Sequence, residues 1–568
     1  MTMLTINPAI SSVTGYRVPR HPAPIDLDLT GTELPPLDPG ALASALAKAV
    51  ADGWQYPTTT AIEAGLALEY DVDPARVMIG AGSDDLLERA MRCLLSPGSE
   101  VILTDPTFEM LPRYATLNGA STRSVPWLDA AVPTQHIIEA ATPATAIIAI
   151  VTPNNPTGTT ASTSALLEIA RRNPSVLVIV DQAYVEFADV DPLPDLVDEP
   201  NILLTRTLSK AWGMPGLRVG FGVGPALLVA AMRRAGTPYP VATPTLLAAL
   251  AIRATSTRSM DGRVNAIRAT RTQLLAATRA LGLDPTGSAA NFICTATPRA
   301  AWLRDGLAGL GIGVRWLPGA PNRVRITCPI DDSATDRLEA ALAAVCAPQA
   351  LLLDMDGVIA DVSTSYRTAI IETAAEFGVT VTQADIAARK AAGNANDDWA
   401  LTHELIIAGG REASLADVTT AFEARYQGTT EVPGLRRTEA LIGDRDLLAR
   451  LAARLPLAIV TGRPRIDAER FLVENNLADL FQVVIAREAG PLKPDPFPVR
   501  EALRHLGVSR AWMIGDTPDD LRAARTAGVV PIGIIAPGDA SARTVPALRE
   551  AGAARILTTL EELFACLP

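Results

Sequence analysis

The sequence predicts a multidomain α/β protein, and three observations support that prediction. With 568 residues the chain is long for one core, so about two to four domains are expected. Continuous apolar runs, such as 146–151 and 176–180, recur between helical patterns, which is typical of parallel strands buried on both faces of a sheet. A fresh apolar strand begins at Leu351, directly after a helical pattern that ends at Cys346, so we place the main domain boundary between them.

Composition argues against several classes of partner. The chain is 48% hydrophobic and 20% charged, and it has a net charge of −12 without a long basic run, which disfavours nucleic acid and anionic membranes. The N-terminus lacks the pattern of a signal peptide, and no apolar run approaches the ~20 residues of a membrane span. The five cysteines lie far apart, which favours buried thiols in a reducing, cytoplasmic compartment over disulfides or a zinc site.

The elements before residue 346 follow an order that predicts a large α/β part and a smaller α+β part. An irregular arm covers residues 1 to about 30, and a helix is expected at 39–52. A short strand then leads through Gly82 into a helix that opens with acidic residues, and free N–H groups at such a helix start suit an anion. Further strands alternate with helices, which predicts three layers, and they lie at 101–103, 146–151, 176–180 and 202–205.

A lysine after one of these strands is the centre of the first candidate site. Ser209-Lys210 follows the strand at 202–205, and a glycine-rich turn then leads to Arg218. Such a lysine can form a Schiff base with an aldehyde cofactor, while the serine and the arginine hold the cofactor's phosphate. Alone the pattern is weak, because lysines near glycines are also common in solvated loops.

Three further segments support this site. Asn155 follows one buried strand and Asp181 ends the next, ahead of Tyr184, at the strand ends where open α/β sheets bind ligands. An aspartate facing a pyridine nitrogen keeps that ring protonated, and the other two side chains can bond its phenolic oxygen. Phe108 can stack on the ring. Separately these residues could be a turn, a helix cap and a core aromatic, but their joint occurrence ahead of Lys210 favours the cofactor site.

Residues 1–346 therefore resemble fold-type I pyridoxal-phosphate aminotransferases of the histidinol-phosphate aminotransferase group. The resemblance implies a large α/β/α domain at 33–254 and a small α+β domain formed by 1–32 and 255–346. It implies that Lys210 is the Schiff-base lysine and proton carrier and that Asp181 faces the pyridine nitrogen. The remaining cofactor contacts that it implies are Asn155, Tyr184, Phe108, Ser209, Arg218, Gly82 and Ser83.

The same resemblance implies a homodimer and a class of substrate. Tyr56 matches a tyrosine that reaches the cofactor phosphate of a neighbouring subunit, and Arg325 matches an arginine that grips the carboxylate of the amino donor. Tyr16 and Arg315 match positions that contact the phosphate of histidinol phosphate, although a packing residue and a surface arginine remain alternatives. Thr32 stands where the family usually has Asn, and the loop between the two arginines is short, so the exact substrate stays open.

A second constellation begins at Asp354-x-Asp356, directly after the apolar strand at 351–353. One such aspartate can attack phosphorus while the other protonates the leaving oxygen, although a turn with aspartate caps is the alternative for this motif alone. Later strands end at Thr461 and shortly before Asp516, and Lys493 lies in a proline-flanked loop. A nucleophile, a hydroxyl, a lysine and metal-binding acids at strand ends predict a phosphoryl-transfer site with Mg²⁺.

Residues 350–568 resemble the phosphatase branch of the haloacid-dehalogenase superfamily, which implies a Rossmann-like core and a helical cap at about 364–450. Asp354 would be the nucleophile and Asp356 the general acid/base, while Thr461 and Lys493 would bind the phosphoryl group. The metal ligands that the resemblance implies are Asp354, Asp356, Asp516 and Asp520. Within the cap, the polar segment 393–399 is either a substrate contact or a solvated loop.

Together the two resemblances predict a bifunctional enzyme. The first part would transaminate imidazole acetol phosphate with glutamate, and the second would hydrolyse the resulting L-histidinol phosphate with Mg²⁺. Two alternatives remain at this stage: an aminotransferase-phosphatase that acts on another amino phosphate in specialised metabolism, and an aminotransferase with a non-catalytic C-terminal domain. The partners expected are small molecules and a second copy of the chain.

Overall fold

A computed structural model describes the chain except for residues 1–3, 5, 18, 128–130 and 394–396. The described residues form two compact units, and helices and strands alternate in both, which confirms the α/β prediction. None of the described helices combines the length and the apolar character needed to cross a membrane. The five cysteines are free thiols.

Twenty-one strands are found in the described residues. They are β1 (Leu27–Asp28), β2 (Val77–Gly80), β3 (Glu100–Asp105), β4 (Ser121–Pro126), β5 (Thr145–Val151), β6 (Leu177–Asp181), β7 (Ile202–Thr207), β8 (Gly220–Val223), β9 (Asp284–Pro285), β10 (Phe292–Ala296), β11 (Ile312–Gly313), β12 (Arg315–Leu317), β13 (Arg323–Thr327), β14 (Ala350–Leu353), β15 (Ala360–Asp361), β16 (Ala440–Leu441), β17 (Leu457–Val460), β18 (Phe481–Ile485), β19 (Ala511–Gly515), β20 (Val530–Ile534) and β21 (Arg555–Leu557).

The α-helices fill most of the segments between these strands. They are α1 (Pro8–Ser11), α2 (Pro39–Asp52), α3 (Thr60–Glu69), α4 (Ser83–Leu94), α5 (Met110–Leu117), α6 (Thr134–Ala140), α7 (Thr163–Arg172), α8 (Leu193–Leu196), α9 (Ala226–Ala235), α10 (Thr243–Thr255), α11 (Thr257–Ala280), α12 (Ala300–Gly309), α13 (Asp332–Cys346), α14 (Tyr366–Glu376), α15 (Gln383–Ala392), α16 (Asp398–Ala408), α17 (Leu415–Gln427), α18 (Arg445–Ala452), α19 (Arg465–Glu474), α20 (Phe497–Leu506), α21 (Pro518–Thr526) and α22 (Ser541–Glu550).

The first unit consists of residues 1–18, 29–297 and 315–335, and its main element is a seven-stranded sheet. The strand order is β2-β8-β7-β6-β5-β3-β4, in which only β8 runs antiparallel to its neighbours. Apolar side chains on both faces of this sheet pack against helices, so the strands carry no polar alternation. The parallel strands bring Asp181 and Ser209-Lys210 to one edge of the sheet.

A smaller antiparallel sheet, β12-β13-β10-β9, completes the first unit. In its register Arg315 on β12 lies directly opposite Arg325 on β13. Directly opposed residues on neighbouring strands bring their side chains close together on one face of a sheet. The register therefore places two arginines next to each other.

The second unit consists of residues 19–28, 298–314 and 336–568. Its core is a parallel sheet with the order β18-β17-β14-β19-β20-β21, so the ends of β14, β17 and β19 lie side by side. The pair β15–β16 joins the two ends of the segment that carries α14 to α17. The position of a boundary between independently folding domains near 347–350 stays a prediction.

The second unit also contains segments that precede residue 347 in the chain, and these segments pack against its sheet. The ring of Trp302 on α12 lies 4.5 Å from that of Trp512 on β19, measured between centroids. Trp512 Nε1 donates to the carbonyl of Ala344 at 2.8 Å, and Arg555 donates to Asp305 at 2.8 Å. Buried indoles and a partly buried ion pair therefore attach α12 and the end of α13 to β19 and β21.

Candidate active sites

In the first unit, the amine of Lys210 contacts one hydroxyl group and one backbone carbonyl. Its Nζ donates to Thr32 Oγ1 at 2.6 Å and to the carbonyl of Gly31 at 3.2 Å. The same Oγ1 lies 3.2 Å from the phenolic oxygen of Tyr184, and Lys210 Nζ lies 5.5 Å from the centroid of that ring. Thr32, which is not among the predicted site residues, therefore joins two that are, Lys210 and Tyr184.

Thr32 is held in an unusual backbone conformation. It is buried and has φ = 57°, in the left-handed region that β-branched residues rarely adopt. Its N–H donates to Thr327 Oγ1 at 3.1 Å, and its carbonyl accepts from Asn291 at 3.1 Å. These bonds hold a conformation that costs on the order of 1–3 kcal/mol, as strained residues at functional sites often do.

Asp181 lies at the end of β6 and is buried. One of its oxygens accepts from Thr205 Oγ1 at 3.1 Å. Burial raises the pKa of this carboxyl to about 7, against a smaller opposing effect of the Thr205 hydrogen bond. A cationic ring nitrogen at this position would supply the charge that the buried carboxylate needs.

Four predicted phosphate contacts gather at the start of α4. The helix has no side-chain cap at Gly82, which has φ = 83°, so the first N–H groups at and after Ser83 are available. A side chain at Gly82 would place its Cβ 2.6 Å from Arg218 Nη2, so only glycine leaves this space open. Arg218 also donates to Ser209 Oγ at 3.3 Å.

Two buried arginines form the other side of this site. Arg325 donates to Asn155 Oδ1 at 2.6 Å and to the carbonyl of Thr30 at 2.6 Å. Arg315 donates to both carboxylate oxygens of Glu109, at 3.0 and 3.2 Å. Arg315 Nη1 and Arg325 Nε are buried and have no hydrogen-bond partner among the described residues. Burial also lowers the pKa of Arg325, because its charge is poorly solvated.

The other predicted residues of the first unit differ in their placement. Tyr16 donates to Glu109 at 2.9 Å, so it shares a partner with Arg315. Phe108 is partly buried and packs against the apolar cluster between the sheet and α4. Tyr56 is 80% exposed, and its ring stacks on that of Tyr239 with 4.5 Å between the centroids.

In the second unit, three carboxylates and a lysine meet at the ends of β14 and β19. Carboxylate oxygens of Asp354, Asp516 and Asp520 lie within 4.8 Å of one another. Lys493 Nζ bonds Asp354 at 2.8 Å, Asp520 at 2.5 Å and the carbonyl of Val460 at 3.0 Å. Three oxygen donors this close together suit a hard divalent cation such as Mg²⁺.

The electrostatics of this cluster point the same way. Burial raises the pKa of Asp516, and the charges of Asp520 and Asp354 raise it further. Burial likewise raises the pKa of Asp354, although Lys493 opposes that effect. One lysine does not balance three carboxylates this close together, two of them buried, so a bound cation would relieve both the repulsion and the desolvation.

Two local features assemble the cluster. Asp520 is the third residue of α21, and one of its oxygens accepts from the N–H and hydroxyl of Thr517 while the other faces Lys493. Gly357 has φ = 73°, and a Cβ there would lie 2.3 Å from Asp516 Oδ2. The helix cap thus orients the carboxylate of Asp520, and the absence of a side chain at Gly357 leaves room for that of Asp516.

Asp356, also predicted as a metal ligand, has a different partner. Its carboxylate accepts from Arg463 Nε at 2.5 Å, and Arg463 Nη1 donates to Glu439 at 2.9 Å. Thr461, buried at the end of β17, accepts from the N–H of Arg463 at 3.2 Å. Whether Asp356 ligates a metal stays a prediction.

Sequence reasoning missed Thr32, Glu109, Arg463 and Glu439. In the sequence Thr32 is only a departure from the family pattern, and Arg463 directly follows Thr461-Gly462. Glu109 adjoins Phe108, whereas Glu439 has no motif around it. The contacts that distinguish them join residues far apart in the chain, which no local pattern reveals. Part of the predicted cap patch, residues 394–396, lies outside the described residues.

Comparison with known families agrees with this geometry. Residues 43–342 match the family described as aminotransferase class I and II, and residues 348–528 match the haloacid dehalogenase-like hydrolases. The structure of histidinol-phosphate aminotransferase from Sinorhizobium meliloti, solved with pyridoxal-5'-phosphate, aligns with a TM-score of 0.55 and 23% identity over 60% of this chain and 97% of that one. At this identity the likeness shows the fold.

Individual relatives differ in name. Histidinol-phosphate aminotransferase 2 of Pseudomonas fluorescens Pf0-1 is 33% identical over 53% of this chain and 84% of its own length. An aromatic amino acid aminotransferase of Thermobifida fusca is 33% identical over 57% of this chain and 94% of its own length. An imidazoleglycerol-phosphate dehydratase of Phytophthora nicotianae is 51% identical over 33% of this chain, but the chain spans only 44% of that protein.

Proposed function

Because this chain belongs to the class I and II aminotransferases and also carries a haloacid dehalogenase-like hydrolase domain, we propose that it catalyses two consecutive reactions. The aminotransferase, residues 1–346, transfers an amino group from glutamate to imidazole acetol phosphate and yields L-histidinol phosphate and 2-oxoglutarate. The phosphatase, residues 350–568, hydrolyses that product to L-histidinol and phosphate with the help of Mg²⁺.

The residues of the first site fit pyridoxal phosphate. When bound, this cofactor supplies an aldehyde that takes up the amino group and a ring that withdraws electrons. Asp181 would hold the ring nitrogen, and the start of α4 with Ser209 and Arg218 would hold the phosphate, since a buried carboxylate and an open cradle of donors suit those groups. Lys210 moves the proton at the substrate carbon, while Thr32 accepts from its amine and Tyr184 bonds the same Thr32 hydroxyl.

The main support for this substrate is the pair of adjacent buried arginines, Arg315 and Arg325. Arg315 and Arg325 face each other across β12 and β13, and each has an N–H group without a hydrogen-bond partner in the described part of the chain. Buried arginines with free donors suit carboxylate or phosphate oxygens. The phosphate of histidinol phosphate offers three terminal oxygens, so it can accept from both arginines, whereas the carboxylate of an aromatic amino acid offers two.

In the second site, we assign four roles. Asp354 attacks phosphorus, Asp356 gives a proton to the leaving oxygen, and Lys493 and Thr461 hold the phosphoryl oxygens. Mg²⁺ would supply charge neutralisation, and the carboxylates of Asp354, Asp516 and Asp520 would hold it. This second function suits the first because its substrate class, a phosphomonoester, is the product class of the transamination.

Transamination of aromatic amino acids is the second candidate for the first site. Relatives of that name match this chain as extensively as the histidinol-phosphate enzymes do. Thr32 in place of the usual Asn also keeps open another amino phosphate as substrate. We further propose a homodimer, supported by the exposed Tyr56–Tyr239 stack, which suits burial against a second copy.

A spectroscopic experiment tests the proposal. Protein loaded with pyridoxal phosphate and freed of metal is mixed with L-histidinol phosphate, with L-phenylalanine, or with neither. Loss of the visible absorbance of the bound cofactor with histidinol phosphate, at lower concentration than with phenylalanine, is expected. Adding Mg²⁺ should then release phosphate. A spectrum that responds to phenylalanine alone would make the aromatic candidate the better one, and persistent absence of phosphate release would contradict the phosphatase role.

The variant Arg315→Lys tests the role of this arginine. It should weaken the response to histidinol phosphate by about tenfold or more, because lysine lacks the forked donors of a guanidinium group. The response to phenylalanine should change little. An equal loss with both substrates would mean that Arg315 serves the fold or the carboxylate and not a phosphate.

A further inference from the structure

Arg463 is an arginine of the phosphatase site whose hydrogen bonds are incomplete. Its side chain is 1% exposed. Nε donates to Asp356 and Nη1 to Glu439, while Nη2 is buried and has no hydrogen-bond partner in the described ranges. The guanidinium lies 5.0 Å from the centroid of Tyr366 and 5.6 Å from that of Phe471. A buried charged donor left unsatisfied costs stability, so it marks a place where a partner belongs.

Arg463 lines a small cavity between the helical segment and the sheet core of the second unit. The cavity is bounded on the core side by Gly462, Pro464 and Arg487, at the junction by Asp356 and Tyr366, and on α16 by Asp398 and Trp399. It therefore lies beside the carboxylate proposed to protonate the leaving group. The leaving alcohol of the substrate must occupy the space next to that carboxylate.

The charges around this cavity are otherwise paired. Asp398 pairs with Lys390 at 3.2 Å, and Arg487 pairs with Asp397 at 2.8 Å and stacks on Trp399 at 4.0 Å. Tyr366 and Trp399 supply flat aromatic walls. Even so, Arg463 Nη2 has no hydrogen-bond acceptor among the described residues.

Resting on the proposed phosphatase function, we infer that Arg463 selects the leaving group: its Nη2 donates to a neutral acceptor atom on a ring carried by the alcohol. An imidazole nitrogen is such an acceptor while the ring is unprotonated, and it loses this capacity on protonation. The cavity holds about 20 Å³, little more than one water, so the ring enters by displacing the helix that carries Trp399.

Two phosphate esters that differ in one ring test this inference. L-histidinol phosphate and L-phenylalaninol phosphate share the amine and the ester, but only the first has ring nitrogens. The full-length protein with Mg²⁺ should show a kcat/KM for histidinol phosphate about 10- to 100-fold above that for phenylalaninol phosphate, as expected for a hydrogen bond to a charged donor. This preference should fade as the pH falls below the imidazole pKa of the substrate, near ~6.5 for a histidine ring.

In the variant Arg463→Lys, the ratio of the two kcat/KM values should fall towards 1. A lysine cannot donate to Asp356, Glu439 and a ring nitrogen at the same time. The ratio cancels any loss that both esters share through Asp356. Arg504→Lys is the matched control, since Arg504 is an exposed arginine paired with Glu501 on α20, and its ratio should equal that of the unaltered protein.

Equal rates on the two esters, or a preference that survives in Arg463→Lys, would overturn the inference while leaving the phosphatase function intact. If the variant does not fold, the pH dependence of the preference in the unaltered protein decides instead, and a preference that is constant with pH overturns the inference. Hydrolysis of neither ester would contradict the proposed function and the inference together.

Discussion

The two sites of this chain are opposite in electrostatic character. The first contains four cations, Lys210, Arg218, Arg315 and Arg325. Its carboxylates are the buried Asp181 and the more exposed Asp84 and Glu109, which pair with Arg218 and Arg315. The second gathers Asp354, Asp516 and Asp520 around a single lysine. Cation excess in the first suits anionic groups, and anion excess in the second suits a metal cation.

The two sites also differ in the kind of buried charge that the protein leaves uncompensated. Arg325 and Arg315 keep unsatisfied N–H groups, which an anionic substrate can serve. The carboxylates of the second site instead repel one another, and Lys493 compensates only part of that charge. Although burial opposes it, Asp354 and Asp520 raise the pKa of Lys493, so this lysine stays charged. Each site thus lacks charge of the sign that its proposed ligand carries: negative charge in the first and positive charge in the second.

The largest expected effects separate the two sites completely. Lys210→Ala should reduce transamination by about 10⁴-fold or more, because it removes the group that carries the proton. Phosphate release from histidinol phosphate should stay within about twofold, since Lys210 belongs to the other unit. Steady-state assays of both half-reactions measure this, and a parallel loss in both would show that the sites depend on each other.

Asp354→Asn is the reciprocal experiment. Phosphate release should fall by about 10⁴-fold or more, because an amide is no nucleophile, while the spectral response to amino donors remains. The substitution is nearly isosteric and removes one of the repelling charges, so the fold should persist. Retained phosphate release would mean that another residue attacks phosphorus.

Removal of divalent metal should have the next largest effect. Chelation should reduce hydrolysis by about 10³-fold, and added Mg²⁺ should restore it. Without the cation, nothing neutralises the repulsion between the three carboxylates or the charge of the phosphoryl group. Transamination should not respond. Metal-independent hydrolysis by the chelated protein would contradict the assignment of the carboxylate cluster to a metal.

A smaller effect is expected at Thr32. Thr32→Val keeps the shape but removes the hydroxyl that accepts from Lys210, and should slow transamination by about tenfold. Thr32→Ser keeps the hydroxyl and should retain most of the rate. Single-turnover kinetics followed by cofactor absorbance compare the two. Equal rates in both variants would show that the hydroxyl does not position the lysine.

The last effect is on the stability of the fold and its dependence on pH, and not on turnover. The pKa of Asp181 is raised from 3.8 to about 7, so the folded state keeps a proton that the unfolded state loses. Folding stability of the cofactor-free protein should therefore fall as pH rises through this window, by up to about 4 kcal/mol. Asp181→Asn should remove that fall. Denaturant unfolding of both proteins at several pH values measures it, and identical pH profiles would contradict the raised pKa.

Much of both sites was predictable because their chemistry is concentrated in short motifs at strand ends. Asn155, Asp181, Lys210 and Asp354 each follow an apolar run that local pattern identifies as a strand. Thr32 and Arg463 were not predictable, because their roles depend on partners more than a hundred residues away, Lys210 and Asp356 respectively. A residue type alone does not indicate such a partner.

By itself the sequence determined the α/β class, the restart near residue 350 and the chemical groups of each site, since periodicity and motif order are local properties of the chain. Only the tertiary structure decided how these groups are paired. The register of β12 and β13 sets Arg315 beside Arg325, and the packing at the end of β17 assigns Arg463 to Asp356. Register and packing are decided by burial and charge pairing between residues that are far apart in the chain.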